Sequence, residues 1–238
     1  ANPPFSGRVD RDRIVDDVKV GTVGPICEGV EYRIADDGEL QVRGDIVFAG
    51  YYKNPEATAE AVQDGWLHTG DVATLVGEHI KIVDRLKDIM ITAGGKNITP
   101  SEIENTMKAS PYIKECMVIA EGRRFVSALV QIDFETVGKW AEAQRIAFTH
   151  FRSLVETPQV RTLIEQEINR GNEQLARVER IRRFHLLTKE LDHDDGEVTA
   201  TMKVRRANIY EEYAAEIDAL YGAEPEASEP VEPALEQE

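Results

Sequence analysis

The stretch Asp84-Arg85-Leu86-Lys87-Asp88-Ile89-Met90-Ile91-Thr92-Ala93-Gly94-Gly95-Lys96-Asn97-Ile98-Thr99-Pro100-Ser101-Glu102-Ile103-Glu104 marks where the chain changes character. Ile89–Thr92 is an apolar, largely β-branched run that stops at Gly94-Gly95, the pattern of a short buried strand closed by a tight turn. Thr99, Pro100 and Glu102 then stand at the spacing of an N-cap, a first-turn proline and a capping-box glutamate. A helix is predicted from there to about Ala109. Strand, glycine turn and capped helix in that order open a mixed α/β unit.

Upstream the pattern is β-rich. Val30–Ala35 and Glu39–Arg43 flank Asp36-Asp37-Gly38, which reads as a hairpin. Asp71–Val76 and His79–Val83 flank Gly77-Glu78 in the same way, and Asn54-Pro55-Glu56-Ala57-Thr58 opens a short helix ending near Gly65. Barrel-like material is the expectation for this part. Downstream, strands are predicted at Glu115–Ala120 and Phe125–Ile132, then a long helical stretch over Phe134–Arg183. Pro158 must interrupt that stretch or start a new helix, because it cannot donate to an interior turn. Asp192–Gly196 is a polar loop, and Asn208–Tyr221 a last amphipathic helix.

Composition narrows the classes. The 238 residues carry a formal charge of -16, which argues against a nucleic-acid partner or a polybasic membrane surface. Six of the negative charges are glutamates of the Pro-rich segment 224–238, a composition that predicts an unstructured tail. Two cysteines, Cys27 and Cys116, cannot make a disulfide framework, so a reducing, cytoplasmic setting is expected. No apolar run reaches the roughly 18 residues of a membrane span, and Ala1-Asn2-Pro3-Pro4-Phe5 has no signal-peptide pattern.

Four segments recur in fixed order. They are Gly50-Tyr51-Tyr52-Lys53-Asn54-Pro55-Glu56-Ala57-Thr58; Gly65-Trp66-Leu67-His68-Thr69-Gly70-Asp71; the stretch from Asp84 to Glu104; and Gly196-Glu197-Val198-Thr199-Ala200-Thr201-Met202-Lys203-Val204-Arg205-Arg206. Together they resemble the C-terminal part of the adenylate-forming enzymes: acyl- and aryl-CoA synthetases, luciferases and nonribosomal adenylation domains. The Thr-Met-Lys-Val-Arg-Arg ending and the long helical insertion resemble the long-chain fatty acid–CoA ligase branch. The resemblance covers about residues 20–221. It departs at Thr201-Met202, where many members carry Ser-Gly before the lysine.

The resemblance implies an α/β (α+β) fold. Residues 1–85 would end a large AMP-binding domain, 86–222 would form a mobile α+β lid, and 223–238 the acidic tail. It implies fatty acid, ATP and CoA as substrates, with Mg²⁺ on the phosphates, bound mainly by an N-terminal domain that is not in this sequence. The chain alone is therefore expected to be inactive. Contact of the full-length enzyme with a membrane surface is also expected. A fatty acyl-AMP ligase loading a carrier protein, and a non-catalytic lid or interaction module, stay open as alternatives.

Individual roles follow by the same resemblance. Asp71 is the ribose-binding aspartate, since an ionised carboxylate accepts from both hydroxyls; an isolated Thr-Gly-Asp could equally be a hairpin turn. Arg85 offers a donor fork to ribose or phosphate, against an ion pair with Asp84 or Asp88. Lys87 falls at the hinge, where an ordinary exposed lysine would look the same. Gly94-Gly95 would pass a pantetheine arm, or form a tight strand-to-helix turn, or both. Its Gly-Gly-Lys-Asn lacks the phosphate-loop spacing. Lys203 is the catalytic lysine, an ammonium placed where charge develops on the α-phosphate.

Other candidates carry no chemistry. His68, His79, His150, His185 and His193 lack metal-ligand spacing, and Asp192, Asp194 and Asp195 lack a calcium loop's downstream glutamate. Leu154, Ile164, Ile168, Leu175 and Val178 read as one buried helix face. Trp66 and Tyr51-Tyr52 read as core or interdomain packing.

Overall fold

The computed structural model describes residues 18–201 and 203–222; the expected acidic tail, the N-terminal segment and Met202 lie outside them. The chain forms two compact units. One holds the described residues up to Thr106 with Ala120–Arg124, the other Met107–Ile119 and the residues from Phe125 on. This grouping is by compactness, whereas the boundary expected at Arg85–Leu86 is one of movement.

The first unit is built on an antiparallel sheet of β1 (Gly24–Pro25), β2 (Glu31–Ile34), β3 (Glu39–Arg43), β4 (Val62–Gln63), β5 (Trp66–Val76) and β6 (His79–Arg85). The order along the sheet is β1-β6-β5-β3-β2, and β4 pairs with the start of β5. Both predicted hairpins are present. The sheet stays open, however, so the barrel-like expectation is corrected: the path ends at β1 and β2. Its β1 edge is two residues long and includes Pro25, which has no N–H to extend a ladder. Val30, Leu40, Val42, Ala73 and Ile80 form its core.

Helix α1 (Pro55–Ala61) starts as its residues dictate, with Asn54 accepting from the Ala57 N–H at 3.0 Å and proline in the first turn. After a single 3₁₀ turn at Leu86–Asp88 come β7 (Met90–Ile91) and β8 (Asn97–Ile98), an antiparallel pair, and then helix α2 (Pro100–Lys108). Asp84 caps α2 from the end of β6. Its two oxygens accept the Ser101 N–H at 3.0 Å and the Ser101 hydroxyl at 2.8 Å.

The second unit has a three-stranded sheet in the order β11-β10-β9, with β9 at Ile113–Ile119, β10 at Ser127–Ile132 and β11 at Arg183–Leu186. Central β10 is buried along its whole length. One face of the sheet packs Met117, Ile119 and Leu129 against Ile209, Tyr213, Ile217 and Tyr221 of the C-terminal helical segment, α6 (Arg206–Glu212) and α7 (Ala214–Gly222) with Tyr213 between them. Each fully buried aliphatic side chain of this kind contributes about 1.5–3 kcal/mol.

Sequence and structure differ most over residues 134–183. The single long stretch is three helices, α3 (Phe134–Ala143), α4 (Phe151–Val155) and α5 (Pro158–Asn172), followed by β11. Asp133 caps α3 by accepting the Thr136 N–H at 2.9 Å, and this bond holds its carboxyl below the usual range. The helix stops where Arg145 takes a φ of 60°, a left-handed conformation no helix can continue. Pro158 begins α5, as its chemistry requires. Asn172 then turns the chain back. Its side chain donates to the Ile181 carbonyl and accepts from the Ile181 N–H, both at 2.9 Å, which sets β11 parallel to β10. Leu154, Ile164, Ile168 and Leu175 are buried but do not share one helix face: Leu154 lies on α4, Ile164 and Ile168 on α5, and Leu175 in the turn after it, where Val178 is exposed.

Candidate functional site

Thr69, Gly70 and Asp71 form a bulge in β5. Against β3, Gln41 stands opposite His68 and Glu39 opposite Val72, so two steps along β3 face four along β5. A bulge leaves backbone groups without ladder partners, and these must be satisfied from side chains. Here Glu39 Oε1 accepts the Gly70 N–H at 2.9 Å, and Thr69 Oγ1 accepts the Asp71 N–H at 3.1 Å. The Thr69 hydroxyl itself donates to the Leu40 carbonyl at 2.6 Å. Gly70 has a φ of 67°, where a side chain would be strained.

Asp71 lies across the ladder from Arg85, and the two side chains meet, Arg85 Nε to Asp71 Oδ1, at 2.9 Å. Arg85 also donates from Nη1 to the Thr69 carbonyl at 3.3 Å. The sequence offered Asp84 or Asp88 as its ion-pair partner; the geometry selects Asp71, because β6 delivers Arg85 directly opposite the bulge. Burial pushes the Asp71 carboxyl up, Arg85 pulls it down and Glu39 pushes it up again, leaving it above the ordinary value. The pair occupies one carboxylate oxygen. Oδ2 has no hydrogen-bond partner among the described residues.

Lys87 is exposed in the 3₁₀ turn between β6 and β7. Gly94 and Gly95 sit at the tip of the β7–β8 hairpin, a correction to the expected strand-to-helix turn. The turn is closed by the Gly95 N–H donating to the Thr92 carbonyl at 2.8 Å and Thr92 pairing with Lys96. A Cβ on Gly95 would meet nothing within 4 Å, but its φ of 71° requires glycine; Gly94 has an ordinary φ and only Thr92 Oγ1 nearby. The hairpin tip is thus narrow and open.

Lys203 belongs to the second unit, on a loop organised around Glu197. That side chain is buried, at 1% exposure, in a loop of otherwise accessible polar residues. Its oxygens accept from the Tyr213 hydroxyl at 2.9 Å and the Asp192 N–H at 3.0 Å, and Lys189 Nζ approaches to 3.1 Å. Lys189 also binds Asp195 at 2.7 Å, and these contacts hold its ammonium pKa up; burial, then Glu197, raises that of Tyr213. A bridge between Val198 and Val204, with the Arg205 N–H on the Glu197 carbonyl at 2.8 Å, makes a small hairpin that presents Lys203. Its backbone N–H donates to Thr199 Oγ1 at 3.1 Å. Its ammonium is exposed and has no ion pair among the described residues.

The structure therefore brings Asp71 and Arg85 together and puts Lys87 and Gly94-Gly95 in the same unit, with Lys203 in the other. The Gly50–Thr58 segment is explained locally: a Cβ on Gly50 would lie 2.8 Å from Thr58 Cγ2, while Thr58 Oγ1 accepts the Tyr51 N–H at 2.9 Å. Tyr51 and Tyr52 are exposed, not core, since they ride the outside of this turn. Trp66 packs against Arg33 and Arg43, with guanidinium carbons 4.3 and 4.6 Å from the ring centroid. Glu39 and Glu197 were not singled out from the sequence. Both are polar residues beside apolar neighbours in β-type segments, a pattern that reads as a solvent face.

The AMP-binding enzyme C-terminal domain family matches residues 87–225. The chain is 38% identical over 211 residues to the long-chain-fatty-acid–CoA ligase FadD15 of Mycobacterium tuberculosis, covering 88% of this chain and 35% of that protein. It is 42% identical over 219 residues to the putative fatty-acid–CoA ligase fadD11 of the same species, covering 90% and 38%. It thus spans little more than a third of these curated relatives. Among solved structures, the adenylation domain of a carboxylate reductase from Mycobacterium chelonae superposes with a TM-score of 0.66 at 24% identity, over 81% of this chain and 31% of that one, a likeness of fold. On the match over residues 87–225, the chain belongs to the AMP-binding, adenylate-forming enzyme family.

Proposed function

We propose that the chain is the C-terminal portion of an ATP-dependent long-chain fatty acid–CoA ligase. The observation that carries this is the Thr69–Asp71 bulge, which offers an aspartate held by Arg85 with one carboxylate oxygen unengaged. Ribose hydroxyls are donors of the right kind for that oxygen, and the relatives over this region are fatty acid–CoA ligases. In the first step a fatty carboxylate oxygen attacks the α-phosphorus of ATP, the bond to the β-phosphate oxygen breaks, and pyrophosphate leaves. In the second, the CoA sulfur attacks the acyl carbon, the bond to AMP breaks, and the thiol proton is released.

Lys203 supplies positive charge to the α-phosphate and carboxylate oxygens in the first step. Rotation of the lid about Lys87 then brings the Gly94-Gly95 tip to the site, where the pantetheine arm passes its bare backbone. Among the described residues no three carboxylate, imidazole or thiol ligands converge. Mg²⁺ would travel on the ATP phosphates and neutralise their charge, bound mainly by the N-terminal part of the enzyme. The remainder of the AMP-binding domain, including the acyl pocket, belongs to a longer protein, and the 238-residue chain alone forms no acyl-CoA. A cytoplasmic enzyme meeting its lipid substrate at a membrane surface completes the proposal, supported by the low cysteine content of the chain and by relatives named as fatty-acid ligases.

The test is fatty acid-dependent exchange of pyrophosphate into ATP by the full-length protein, followed by addition of CoA or of a phosphopantetheine-bearing carrier protein. Exchange followed by thioester on CoA is expected. Thioester on the carrier alone would reassign the acceptor. No exchange with any fatty acid would refute the reading.

A further inference from the structure

Glu39 stands out once the bulge is seen. Its carboxylate is 5% exposed, on the face of β3 opposite Leu40 and Val42. A carboxylate at that depth is retained only where its oxygens are used. One oxygen takes the Gly70 N–H at 2.9 Å. The other meets Gln41 Nε2 at 2.9 Å and His68 Nδ1 at 2.8 Å, and Gln41 is held in turn by Arg33 Nε at 2.6 Å. Every one of these groups belongs to β2, β3 or β5, so the glutamate couples three strands to a single N–H inside the bulge. Without it, the Gly70 N–H has no ladder partner, and the Thr69–Gly70 peptide inside the bulge is held only at its carbonyl, by the longer 3.3 Å bond from Arg85.

We propose that Glu39 is a positioning residue for the nucleotide: it holds the Thr69–Asp71 bulge so that the Asp71 carboxylate meets both ribose hydroxyls. This rests on the ribose-binding reading of Asp71. Glu39 touches no substrate itself and acts through the bulge. Gln41 and His68 complete its shell, and their loss should have the same character at smaller size.

The experiment uses the full-length enzyme and two non-hydrolysable acyl-adenylate analogues, one with an intact ribose and one lacking both hydroxyls. Affinities are measured by calorimetry for wild type, Asp71→Ala, Glu39→Ala and Glu39→Gln. Glu39→Ala should weaken the ribose analogue about tenfold or more, the scale of a hydrogen bond to a charged group, and leave the dideoxy analogue within about twofold. Glu39→Gln should recover part of the loss, because its amide oxygen still accepts the Gly70 N–H; it also keeps the test open where the alanine variant fails to fold. Equal weakening of both analogues would make Glu39 a general structural residue and overturn the proposal. So would an unchanged Glu39→Gln and Glu39→Ala beside an Asp71→Ala that discriminates the analogues. An Asp71→Ala that fails to discriminate them brings down the ribose reading itself, and the proposal with it.

Discussion

The Asp71 bulge and the Lys203 loop are held in opposite ways. At the bulge the candidate side chain is itself engaged: Asp71 is paired with Arg85, its N–H is held by Thr69, and the Gly70 N–H beside it by Glu39. At the loop only the backbone is tied. Glu197, Tyr213 and the Val198–Val204 bridge fix the hairpin, while the Lys203 ammonium stays exposed. The acidic side chains nearby do not claim it, because Lys189 binds both Asp195 and Glu197. A group that recognises a ligand can be built into a sheet among partners. On the role proposed for Lys203, a group that delivers charge to a reaction keeps that charge unspent, on a scaffold whose acidic side chains pair with Lys189.

That contrast predicts its largest effect at Lys203. In the full-length enzyme, Lys203→Ala should slow adenylate formation by about 10²–10³, the usual scale for removing one preorganised electrostatic contact. Thioester formation from supplied acyl-adenylate should change little, since in the proposed scheme the charge is needed only in the first step. Single-turnover rates of the two half-reactions decide it, and equal damage to both would erase the distinction between a delivered charge and a binding residue. Gly94→Val supplies the mirror image. Gly94 has an ordinary φ and a Cβ there would meet only Thr92 Oγ1, at 4.0 Å, so the backbone tolerates a side chain; on the proposed role of the hairpin tip, that side chain obstructs the thiol's path. Thioester formation should fall while adenylation holds. Gly95 is the poorer test position, because its φ of 71° adds strain to the obstruction.

Next comes the scaffold. Glu197→Ala strips the partners from the buried Tyr213 hydroxyl and the Asp192 N–H, and should cost about 2–3 kcal/mol. Tyr213→Phe, which removes one hydrogen bond to the carboxylate, should cost about 1–2 kcal/mol. Urea unfolding of the 238-residue chain measures both. Lys203→Ala should leave the midpoint unmoved, as its exposed side chain makes no hydrogen bond or ion pair among the described residues. A Lys203→Ala midpoint shifted as far as that of Tyr213→Phe would show the ammonium to be part of the loop's structure.

How much of this was legible in the sequence depends on which force sets each element. The hairpin at Asp36-Asp37-Gly38, the Asn54 cap and the start of α5 at Pro158 are local chemistry, and local chemistry reads directly. The Asp71–Arg85 pairing was half legible: both residues stood in the motifs, but the partner followed only from the β5–β6 register. β11 was hidden because its four residues carry an arginine and a histidine and follow a helical repeat, and it becomes a strand only when Asn172 turns it onto β10. The β7–β8 hairpin was hidden by strands of two residues each. Glu39 and Glu197 were invisible for a different reason. A polar residue next to apolar ones predicts exposure, and only the tertiary structure shows a buried carboxylate surrounded by donors.

The smallest expected effect concerns what the Asp71 site costs the fold. Burial and Glu39 raise its pKa against the pull of Arg85, so the folded state binds its proton more tightly than the unfolded chain does. The sign follows by linkage: between the unfolded value of 3.8 and the higher folded one, stability falls as pH rises, and above that window the cost is constant. Asp71→Asn removes the titration and keeps the shape. Relative to wild type the variant should therefore gain stability as pH rises through the window and hold the gain at neutral pH, with the two chains converging toward the acid end. The side chain is 29% exposed and Arg85 more so, so screening limits the difference to a fraction of about 1 kcal/mol. Urea midpoints of the two chains from pH 3 to pH 7 would show it. A variant less stable than wild type at neutral pH would mean that Arg85 outweighs burial, and that the Asp71 carboxylate is stabilised by its partners at no cost to the fold.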